Sequence, residues 1–376
     1  MQRKELIAIA VVLILILVVL FLLVHFNVID LDSILGLDEE PAIVTGADKD
    51  ATPEKEGAGD TNKPVVVSPT AAELADINLD SSIKVHFIDV GQGDSILIEM
   101  GTDTIMLIDA GHTGVSIDEE GKSHDKVYGS SNVPKAVTEP YFAYLDEVIS
   151  HHGGDIDYLI ATHSDSDHIN MLPAVFKEYQ VNNVYINDCY PDFKTSATVK
   201  ATEEAAEAEN NCNVTFFDTA DDTVIPVETT EYKFTVYSSG NDGFKKNDSN
   251  GMSIMCLLEY GGRKVLFTGD ATVATENWFI DKTNDKDFDI DVLKVGHHGS
   301  STSSGAAFLD YVKAEYAVIS SGKNNAYGHP TEEVMARLNE RHMTTYNTQD
   351  DGTIVLYIDG DGDFCFVTEK SAEATE

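Results

Sequence analysis

The sequence predicts an α+β (α/β) domain in which two β-sheets pack together and are covered by helices, preceded by a single transmembrane helix and a flexible linker. Three observations lead to this fold class. Short runs of β-branched and aliphatic residues recur from Ile83 onwards, helical stretches stand between several of them without a strict strand-helix-strand rhythm, and a long apolar segment stands near the N-terminus. Sheets of this kind bury one face each, so two of them share a core.

The N-terminal segment predicts a membrane anchor. Residues 6–24 are apolar and uncharged, close to the ~20 residues that a membrane-spanning helix needs. Because Arg3 and Lys4 precede this run, residues 1–4 are expected in the cytoplasm, 5–26 in the membrane, and the rest outside the cell. A cleaved secretory signal is the alternative, but the following residues lack an A-x-A-like cleavage site. The sequence therefore predicts a single-pass cell-membrane protein with an extracellular C-terminal domain.

Composition divides the remainder of the chain. Residues 27–80 are rich in Asp, Glu, Pro, Gly and Thr, which bury too little apolar area to fold, so they predict a flexible acidic linker. Residues 81–370 are the predicted folded domain, and 371–376 a disordered tail. Within the domain, residues 113–154 are the least regular and predict either the border of a site or a disordered insert.

The domain elements follow in order. Three β-rich runs broken by Gly and Asp predict an antiparallel meander at its start: I-K-V-H-F-I-D-V, S-I-L-I-E-M and T-I-M-L-I-D-A-G. Similar runs predict further strands at residues 158–162, 183–187, 233–237, 253–260, 264–268, 291–295, 316–320 and 354–359. The stretches between them predict helices at residues 172–179, 195–209, 306–312 and 331–340.

Charge and two local patterns limit the function. The chain of 376 residues has 25 Lys and Arg against 65 Asp and Glu, a formal net charge of −40, so a broad basic face for nucleic acid is not expected. The segment D-G-D-G-D at 359–363 lacks the downstream Glu of a calcium loop and predicts a hairpin turn instead. A disulfide between Cys189 and Cys212 stays open, because the cysteines show no diagnostic spacing.

The segment L-I-A-T-H-S-D-S-D-H-I-N-M at 159–171 predicts a metal-binding loop. Directly after an apolar strand it places four side chains that can bind metal: His163, Asp165, Asp167 and His168. A single cation rarely needs so many ligands, so two adjacent cations are expected. An acidic helix cap at Asp167 is the alternative, but it would leave the histidines without a role.

Further residues of the same types recur downstream. Asp270, His297, His298 and His329 each follow an apolar run and precede a predicted helix, so they are expected at the same edge of the sheets. Each alone fits a helix cap or a core histidine equally well. Together with the loop they form a ligand set.

Seven motifs in order carry a resemblance to a known family. The segment H-S-D-S-D-H is similar to the H-x-H-x-D-H signature of the metallo-β-lactamase fold. Over about residues 83–365 the chain resembles the extracytoplasmic hydrolase domain of ComEC-type competence proteins, through six further motifs: F-I-D-V-G-Q-G-D-S, L-I-D-A-G, N-G-M-S-I, F-T-G-D, H-H-G-S and Y-G-H-P. The resemblance implies a metallo-β-lactamase-like αββα sandwich with a metal site where the two sheets meet.

The resemblance also implies the ligands of two divalent metal ions. They are His163 and Asp165 for one ion, Asp167 and His168 for the other, and Asp270 as a bridge. His297 is expected to complete the site, with His329 as the alternative. The two ions are expected to be zinc or manganese. Asp165 stands where the signature has a histidine, and the position of a third histidine falls near Asn250, with Ser253 nearby. These oxygen donors favour manganese or magnesium over zinc.

The remaining site residues are assigned by the same resemblance and by their chemistry. Asp167 would orient the attacking hydroxide, and His298 or His329 could protonate the leaving oxygen. Five polar residues are expected to contact substrate or support the ligands: Asp89, Asp109, Asn250, Ser253 and Ser300. Among them Asp89 could anchor the metal loop, and Ser300 could donate to a phosphate at a helix start.

Three functions fit these residues. The first is a membrane-anchored extracellular phosphodiesterase or nuclease acting on DNA, in which a few lysines would meet the backbone: Lys245, Lys246, Lys294 and Lys323. The second is hydrolysis of a small molecule, such as a cyclic nucleotide, a lactone or a β-lactam. The third is a non-enzymatic metal-binding surface module. The expected partners are DNA or another phosphodiester and the membrane, and no protein partner is identified.

Overall fold

The computed structural model describes residues 77–78, 82–101, 103–111, 116–117, 123–124, 135–187, 196–217, 221–225, 232–239 and 248–370. The predicted anchor at 5–26, nearly all of the linker at 27–80, the tail at 371–376 and Cys189 lie outside these residues, so the predictions made for them stay predictions. Within the described ranges, no helix combines the length and the apolar character that crossing a membrane would require.

Most of the domain is built from β-strands. In chain order, the described strands are β1 (Ile83–Phe87), β2 (Ile96–Met100), β3 (Thr104–Ile108), β4 (Ser116–Ile117), β5 (Ser123–His124), β6 (Ile156–Ala161), β7 (Val181–Asn187), β8 (Asn213–Phe217), β9 (Asp221–Ile225), β10 (Tyr232–Ser238), β11 (Met255–Tyr260), β12 (Arg263–Phe267), β13 (Val292–Lys294), β14 (Tyr316–Ile319), β15 (Thr344–Asn347), β16 (Ile354–Ile358) and β17 (Phe364–Thr368).

Helices connect many of these strands. In chain order, the described α-helices are α1 (Lys135–Ile149), α2 (Ser166–Ile169), α3 (Leu172–Glu178), α4 (Ala197–Ala208), α5 (Val273–Thr283), α6 (Ala306–Val312), α7 (Glu332–Glu340) and α8 (Thr348–Asp351). Short 3₁₀ turns lie at Ser150–His152, Asn250–Met252 and Gly296–Gly299.

The strands form two large sheets and a small hairpin of β4 and β5. One sheet has the order β17-β16-β1-β2-β3-β6-β7-β8, and the other has the order β15-β14-β13-β12-β11-β10-β9. Strands β1, β2 and β3 are antiparallel neighbours, as the sequence predicted. Each sheet also has a parallel half, β3-β6-β7-β8 in one and β12-β13-β14-β15 in the other. The loops after these parallel strands carry the candidate site.

The two sheets pack face to face around an apolar core. Because side chains alternate along a strand, Val85 and Phe87 of β1 point between the sheets, where Phe87 lies 6.2 Å from Phe267 of β12 between ring centroids. Leu97 of β2 packs under the helices of the first sheet, and Leu266 of β12 under those of the second. The layers are therefore helix, sheet, sheet and helix, which confirms the predicted αββα sandwich.

Helix α1 is an element that the sequence analysis did not predict. It lies in the irregular stretch 113–154, where a site border or a disordered insert was expected. Tyr141, Leu145 and Ile149 recur every four residues and pack on the first sheet, which is the spacing of an amphipathic helix. Pro140 lies inside this helix and argued against it, since proline removes a helical hydrogen bond.

The predicted hairpin turn at 359–363 is confirmed. Strands β16 and β17 pair in an antiparallel arrangement on either side of it. The Asp359 carboxylate accepts hydrogen bonds from the backbone N–H groups of Asp361 and Asp363, at 3.1 and 3.0 Å. This acidic repeat therefore stabilises a turn, as aspartate side chains commonly do.

Candidate metal centre

Loops that follow neighbouring strands bring the candidate residues together. Asp109 follows β3, the segment 163–168 follows β6, Asp270 follows β12, and 297–298 follow β13. The carboxyl ends of parallel strands lie at one edge of a sheet. A hydrogen bond from the N–H of Ile254 to the carbonyl of Thr162 joins the two sheets at this edge.

Four side chains form a compact cluster. The ligand atoms of Asp167, His168, Asp270 and His298 all lie within 4.8 Å of one another. His168 Nε2 is 3.1 Å from Asp270 Oδ1, and His298 Nε2 is 3.3 Å from Asp167 Oδ2. Three of the four are buried, and Asp167 is partly exposed. This set has the composition and the spacing of a binding site for a divalent cation.

Hydrogen bonds behind the two histidines determine which ring nitrogen faces the cluster. His168 Nδ1 lies 2.7 Å from Asp109 Oδ2, and His298 Nδ1 lies 2.9 Å from the backbone oxygen of Ser320. Because both partners are acceptors, each Nδ1 carries a hydrogen, and each ring in its neutral form presents a lone pair on Nε2. The two Nε2 atoms are 3.3 Å apart. Two nitrogen ligands of one tetrahedral cation are also ~3.3 Å apart, so the residues fit a metal ion.

Asp270 separates this cluster from a second, looser group. While Oδ1 faces the compact cluster, Asp270 Oδ2 lies 3.9 Å from His163 Nε2 and 3.6 Å from His297 Nε2. Asp165 Oδ2 is 3.8 Å from His163 Nε2, and the Asp165 side chain is partly exposed. One carboxylate thus stands between two pairs of histidines.

The buried Asp109 orients one histidine of each group. Its carboxylate accepts hydrogen bonds from Thr162 N at 2.8 Å, from Thr162 Oγ1 at 2.6 Å and from His168 Nδ1. Because the Thr162 hydroxyl donates to Asp109, it accepts from His163 Nδ1, 3.1 Å away. The Nε2 atom of His163 is thereby left to face Asp270. Carboxylates behind metal-binding histidines commonly have this function.

An unusual backbone brings two consecutive histidines to the centre. His297 and His298 adopt φ values of 50° and 54°, in the left-handed region that non-glycine residues rarely occupy. Each such residue costs about 1–3 kcal/mol, and this strain commonly marks functional sites. Gly299 follows with φ 85°, and a Cβ there would lie 2.5 Å from Pro330 Cβ, so a larger residue would clash.

The charges of the cluster stabilise one another. Burial opposes ionisation of Asp270, but the charges of His298 and His168 hold the pKa of this carboxyl well below its usual value. Burial likewise opposes protonation of His298, yet Asp270, Asp167 and Asp94 raise its pKa to about 10. The carboxylates therefore favour positive charge at this position, which a bound cation also supplies.

The two histidines predicted as proton donors differ in their positions. His298 lies inside the compact cluster with both ring nitrogens engaged, so its geometry is that of a ligand. His329 lies farther out, with its ring centroid 6.5 Å from that of His298 and 5.5 Å from that of His297. Burial and these two neighbours lower the pKa of His329 to about 4, so its ring is neutral near pH 7. Of the two alternatives for completing the site, His297 is the one beside Asp270.

Two predicted supporting residues lie beside the ligands. Asn250 Nδ2 is 3.3 Å from His297 Nε2. Ser253 Oγ accepts a hydrogen bond from the backbone N–H of Asp270 at 3.1 Å. The Ser253 contact fixes the position of a candidate ligand, whereas the Asn250 amide lies at the nitrogen through which His297 would bind a cation.

Asp89 and Ser300 have other contacts than those expected. Asp89 is exposed, and its carboxylate accepts a hydrogen bond from the N–H of Gly91, so the anchoring role expected of it belongs to Asp109. Ser300 Oγ lies 3.0 Å from Thr302 Oγ1, which itself contacts His297 Nδ1. No described helix begins at Ser300, so the expected helix start is wrong, and a contact of Ser300 with a phosphate stays a prediction.

Lys294 is also not the surface lysine that was expected. It is fully buried, and its Nζ lies 2.9 Å from Asp94 Oδ2. Asp94 Oδ1 in turn lies 3.4 Å from His298 Nδ1, so the pair is part of the wall behind the cluster. Burial opposes ionisation of Asp94, but the Lys294 charge keeps its pKa below the usual value. The sequence analysis missed this pair, although a lysine within the apolar run D-V-L-K-V was a signal for a buried partner.

A pocket opens beside the cluster. Its volume is about 380 Å³, in the range of small-molecule sites. Its lining includes Asp167, Asp270, His297, His298, His329 and Tyr327. Of the other lysines expected to contact a phosphate, Lys323 is exposed, whereas Lys245 and Lys246 lie outside the described residues. The pocket therefore gives solvent and substrate access to the candidate metal ligands.

Known proteins are similar in sequence to parts of this chain. It is 30% identical over 284 residues to ComE operon protein 3 of Bacillus subtilis. The matched region covers 73% of this chain and 33% of that protein. It is 40% identical over 110 residues to Competence protein ComA of Neisseria gonorrhoeae, covering 29% of this chain and 16% of that protein. The chain thus spans a third or less of the length of these relatives.

A structural match and a family model complete the comparison. Igni18, a metallo hydrolase from Ignicoccus hospitalis, matches with 11% identity and a TM-score of 0.43, over 73% of this chain and 98% of that one. The model of the metallo-beta-lactamase superfamily matches residues 88–323, which include every candidate ligand except His329. With its sandwich of two sheets and its cluster of histidines and aspartates, the chain belongs to the metallo-beta-lactamase superfamily and is related to the ComEC-type competence proteins.

Proposed function

We propose that this metallo-hydrolase is a phosphodiesterase that cleaves DNA at a centre of two divalent cations. The observation that carries the proposal is the position of the Asp270 carboxylate. Its Oδ1 faces His168 and His298, at 3.1 and 3.5 Å, and its Oδ2 faces His163 and His297. A carboxylate between two pairs of imidazoles suits a bridge between two cations.

The side chains divide into two sets of four donors. One cation would be held by Asp167, His168, Asp270 and His298, and the other by His163, Asp165, Asp270 and His297. Divalent cations at such a centre lower the pKa of water and stabilise negative charge on a phosphodiester. Mixed imidazole and carboxylate donors suit zinc or manganese. Asp167, partly exposed in the pocket wall, would accept a hydrogen bond from the attacking water and orient it.

DNA is proposed as the substrate because of the relatives and the pocket. The relatives are named as competence and recombination proteins, and both processes handle DNA. A pocket of about 380 Å³ has room for a single nucleotide rather than a duplex, which favours single strands. Hydrolysis of a small molecule is the competing function for a pocket of this size.

Cleavage assays with a metal panel test the proposal. The full chain would be freed of metal with a chelator, loaded with zinc or manganese, and incubated with single-stranded DNA or with bis-p-nitrophenyl phosphate. We expect both to be cleaved, and Asp167→Asn to reduce cleavage of both at least 100-fold. A matched control, Asp281→Asn, changes an exposed aspartate of α5 and should retain activity.

The alternative outcomes separate the competing functions. Cleavage of the small ester without cleavage of DNA would indicate a small-molecule hydrolase. Absence of both activities, with metal bound to the chain, would indicate a non-enzymatic metal-binding module. Activity that persists in Asp167→Asn would contradict the proposed centre.

We also propose that the chain acts at the outer face of the cell membrane. The support is the apolar, uncharged run at residues 6–24 that follows Arg3 and Lys4. Protease added to intact cells should remove the C-terminal domain from a membrane-bound protein. Protection of the domain, or its recovery in the soluble fraction, would contradict this location.

A further inference from the structure

An exposed aromatic side chain stands in the wall of the pocket. Tyr327 is 60% exposed, the largest fraction among the exposed large hydrophobic residues of the described ranges. It lines the pocket together with Asp167 and Asp270. It belongs to none of the three apolar clusters of the domain and is not a candidate ligand. A largely exposed aromatic ring in the wall of a pocket is a feature of ligand recognition.

Tyr327 and two histidines form a row of rings that leads to the compact cluster. The Tyr327 ring centroid lies 5.7 Å from that of His329, with 24° between the two planes. His329 in turn lies 6.5 Å from His298 of the compact cluster, again with 24° between the planes. The planes of neighbouring rings in this row therefore differ by 24° at each step. A flat ring stacked on Tyr327 would lie beside the same pocket, whose lining also includes Asp167 and Asp270.

The loop that carries Tyr327 is held in place before any ligand binds. The Asn325 side chain accepts a hydrogen bond from the N–H of His329 at 2.9 Å and donates to the carbonyl of Gly322 at 2.8 Å. The N–H of Gly322 donates to Gln92 Oε1, which lies across the pocket wall, at 3.1 Å. A ring on a loop held by these hydrogen bonds loses little conformational entropy when it contacts a ligand, and this small loss favours binding.

Because the chain is strongly acidic, stacking on a base is a more important contact with DNA than ionic contact with its phosphates. The net charge of −40 opposes long-range attraction of a polyanion. Lys294, which was expected to meet phosphates, is buried against Asp94. Stacking between an aromatic side chain and a nucleobase needs no charge and tolerates any base, but it requires an unpaired base.

We propose that Tyr327 stacks on an unpaired nucleobase next to the phosphodiester at the metal centre, and that this contact selects single strands. The proposal rests on the proposed phosphodiesterase function and names its substrate class. Tyr327 is assigned as a substrate-binding residue, with no part in holding metal.

Kinetics with two variants of the full chain test this assignment. The substrates are a single-stranded oligonucleotide and a strand of the same length in which tetrahydrofuran replaces the sugar and base. Tyr327→Ala should raise KM for the normal strand about tenfold, and Tyr327→Phe, which keeps the ring, should leave it within about twofold of wild type. All three proteins should cleave the baseless strand with the same KM. An unchanged KM for Tyr327→Ala on the normal strand, or an equal rise in KM on both strands, would overturn the proposal.

A binding measurement separates this proposal from the proposed function. A single-stranded trinucleotide containing 2-aminopurine loses fluorescence when its base stacks on a ring. Wild type and Tyr327→Phe should quench it at protein concentrations where Tyr327→Ala does not. If no phosphodiester is cleaved with any metal, the hydrolytic function fails, while this quenching would still support the stacking site. Equal quenching by all three proteins, or none by wild type, would overturn it.

Discussion

At the scale of single residues, Asp109 determines which nitrogen two histidines present to the metal centre. Its carboxylate accepts a hydrogen bond directly from His168 Nδ1. It also accepts one from the Thr162 hydroxyl, which in turn accepts from His163 Nδ1. Asp109 itself is fully buried and adopts a φ of 57°, an uncommon conformation for aspartate. A residue outside the compact cluster thus orients one histidine in each group of candidate ligands.

Replacing this carboxylate should weaken metal binding. In Asp109→Asn, one carboxylate oxygen becomes an amide that cannot accept, so His163 and His168 lose their fixed orientation. We expect the dissociation constant for zinc or manganese to rise about 10- to 100-fold, measured by titration calorimetry on metal-free protein. Asp89→Asn is the matched control, because Asp89 is exposed and contacts Gly91. Equal affinities of the two variants would contradict the role of Asp109.

Gly111 is required by the close approach of two loops. A Cβ at this position would lie 1.5 Å from the backbone oxygen of Asp167, so any side chain must displace the metal-binding loop. We expect Gly111→Ala to lower the free energy of unfolding by about 1–3 kcal/mol, measured by urea denaturation. Gly360→Ala is the control, since its Cβ would make an ordinary contact of 3.4 Å with the Tyr260 hydroxyl. Similar stability of both variants would show that the loop can move at no cost.

At the scale of elements, a polar clamp attaches helix α1 to the first sheet. Glu99 of β2 lies 2.8 Å from His86 Nε2 of β1 and 2.7 Å from His152 Nε2, just after the helix. His86 Nδ1 also lies 2.6 Å from the hydroxyl of Tyr144 in α1. Burial opposes ionisation of Glu99, but His86, His152 and Lys84 lower its pKa to about 2.

This clamp predicts how stability changes in acid. An unfolded glutamate has a pKa of 4.5, so the native carboxylate contributes its full stabilisation above that pH and loses it as the pH falls from 4.5 to about 2. After allowance for solvent screening, Glu99→Gln should lower the free energy of unfolding at pH 7 by about 1–3 kcal/mol. Its stability should also fall less steeply between pH 4.5 and 2, measured by urea denaturation at several pH values.

An exposed ion pair provides the control for the clamp. Glu259 lies 2.8 Å from Lys233 on the surface of the second sheet, and such pairs contribute about 0–1 kcal/mol. Glu259→Gln should therefore leave the fall in the free energy of unfolding between pH 4.5 and 2 unchanged. If the free energy of unfolding falls equally for Glu99→Gln and wild type between pH 4.5 and 2, the Glu99 carboxylate does not stabilise the native state as proposed.

At the scale of the whole molecule, the net charge of −40 predicts an unusual salt dependence. A nuclease with a basic groove binds DNA more weakly as salt rises, because bound counterions are released. Here added salt screens repulsion between two acidic molecules. KM for a single-stranded oligonucleotide should therefore stay level or fall between about 50 and 200 mM salt. A steep increase in KM would indicate a basic DNA-binding surface.

Much of this protein could be predicted from local sequence. Three short β-rich runs broken by Gly and Asp predict the meander of β1, β2 and β3. The loop at 163–168 holds its metal-binding residue types within one short segment, so its chemistry is visible without a fold. Helix α1 was not predicted, because it lies within the irregular stretch 113–154; Pro140 inside it is a residue that interrupts helical hydrogen bonding.

The sequence by itself determined the sheet-rich architecture and the residue types of the metal centre, because these depend on neighbours a few positions apart. Only the tertiary structure decided which atoms meet. His168 and His298 are 130 positions apart, yet their Nε2 atoms are 3.3 Å apart because strand order and the left-handed backbone at His297 and His298 bring them together. The apolar run around Lys294 indicates that this lysine is buried, but its pairing with Asp94, 200 positions earlier in the chain, depends on which strands pack together.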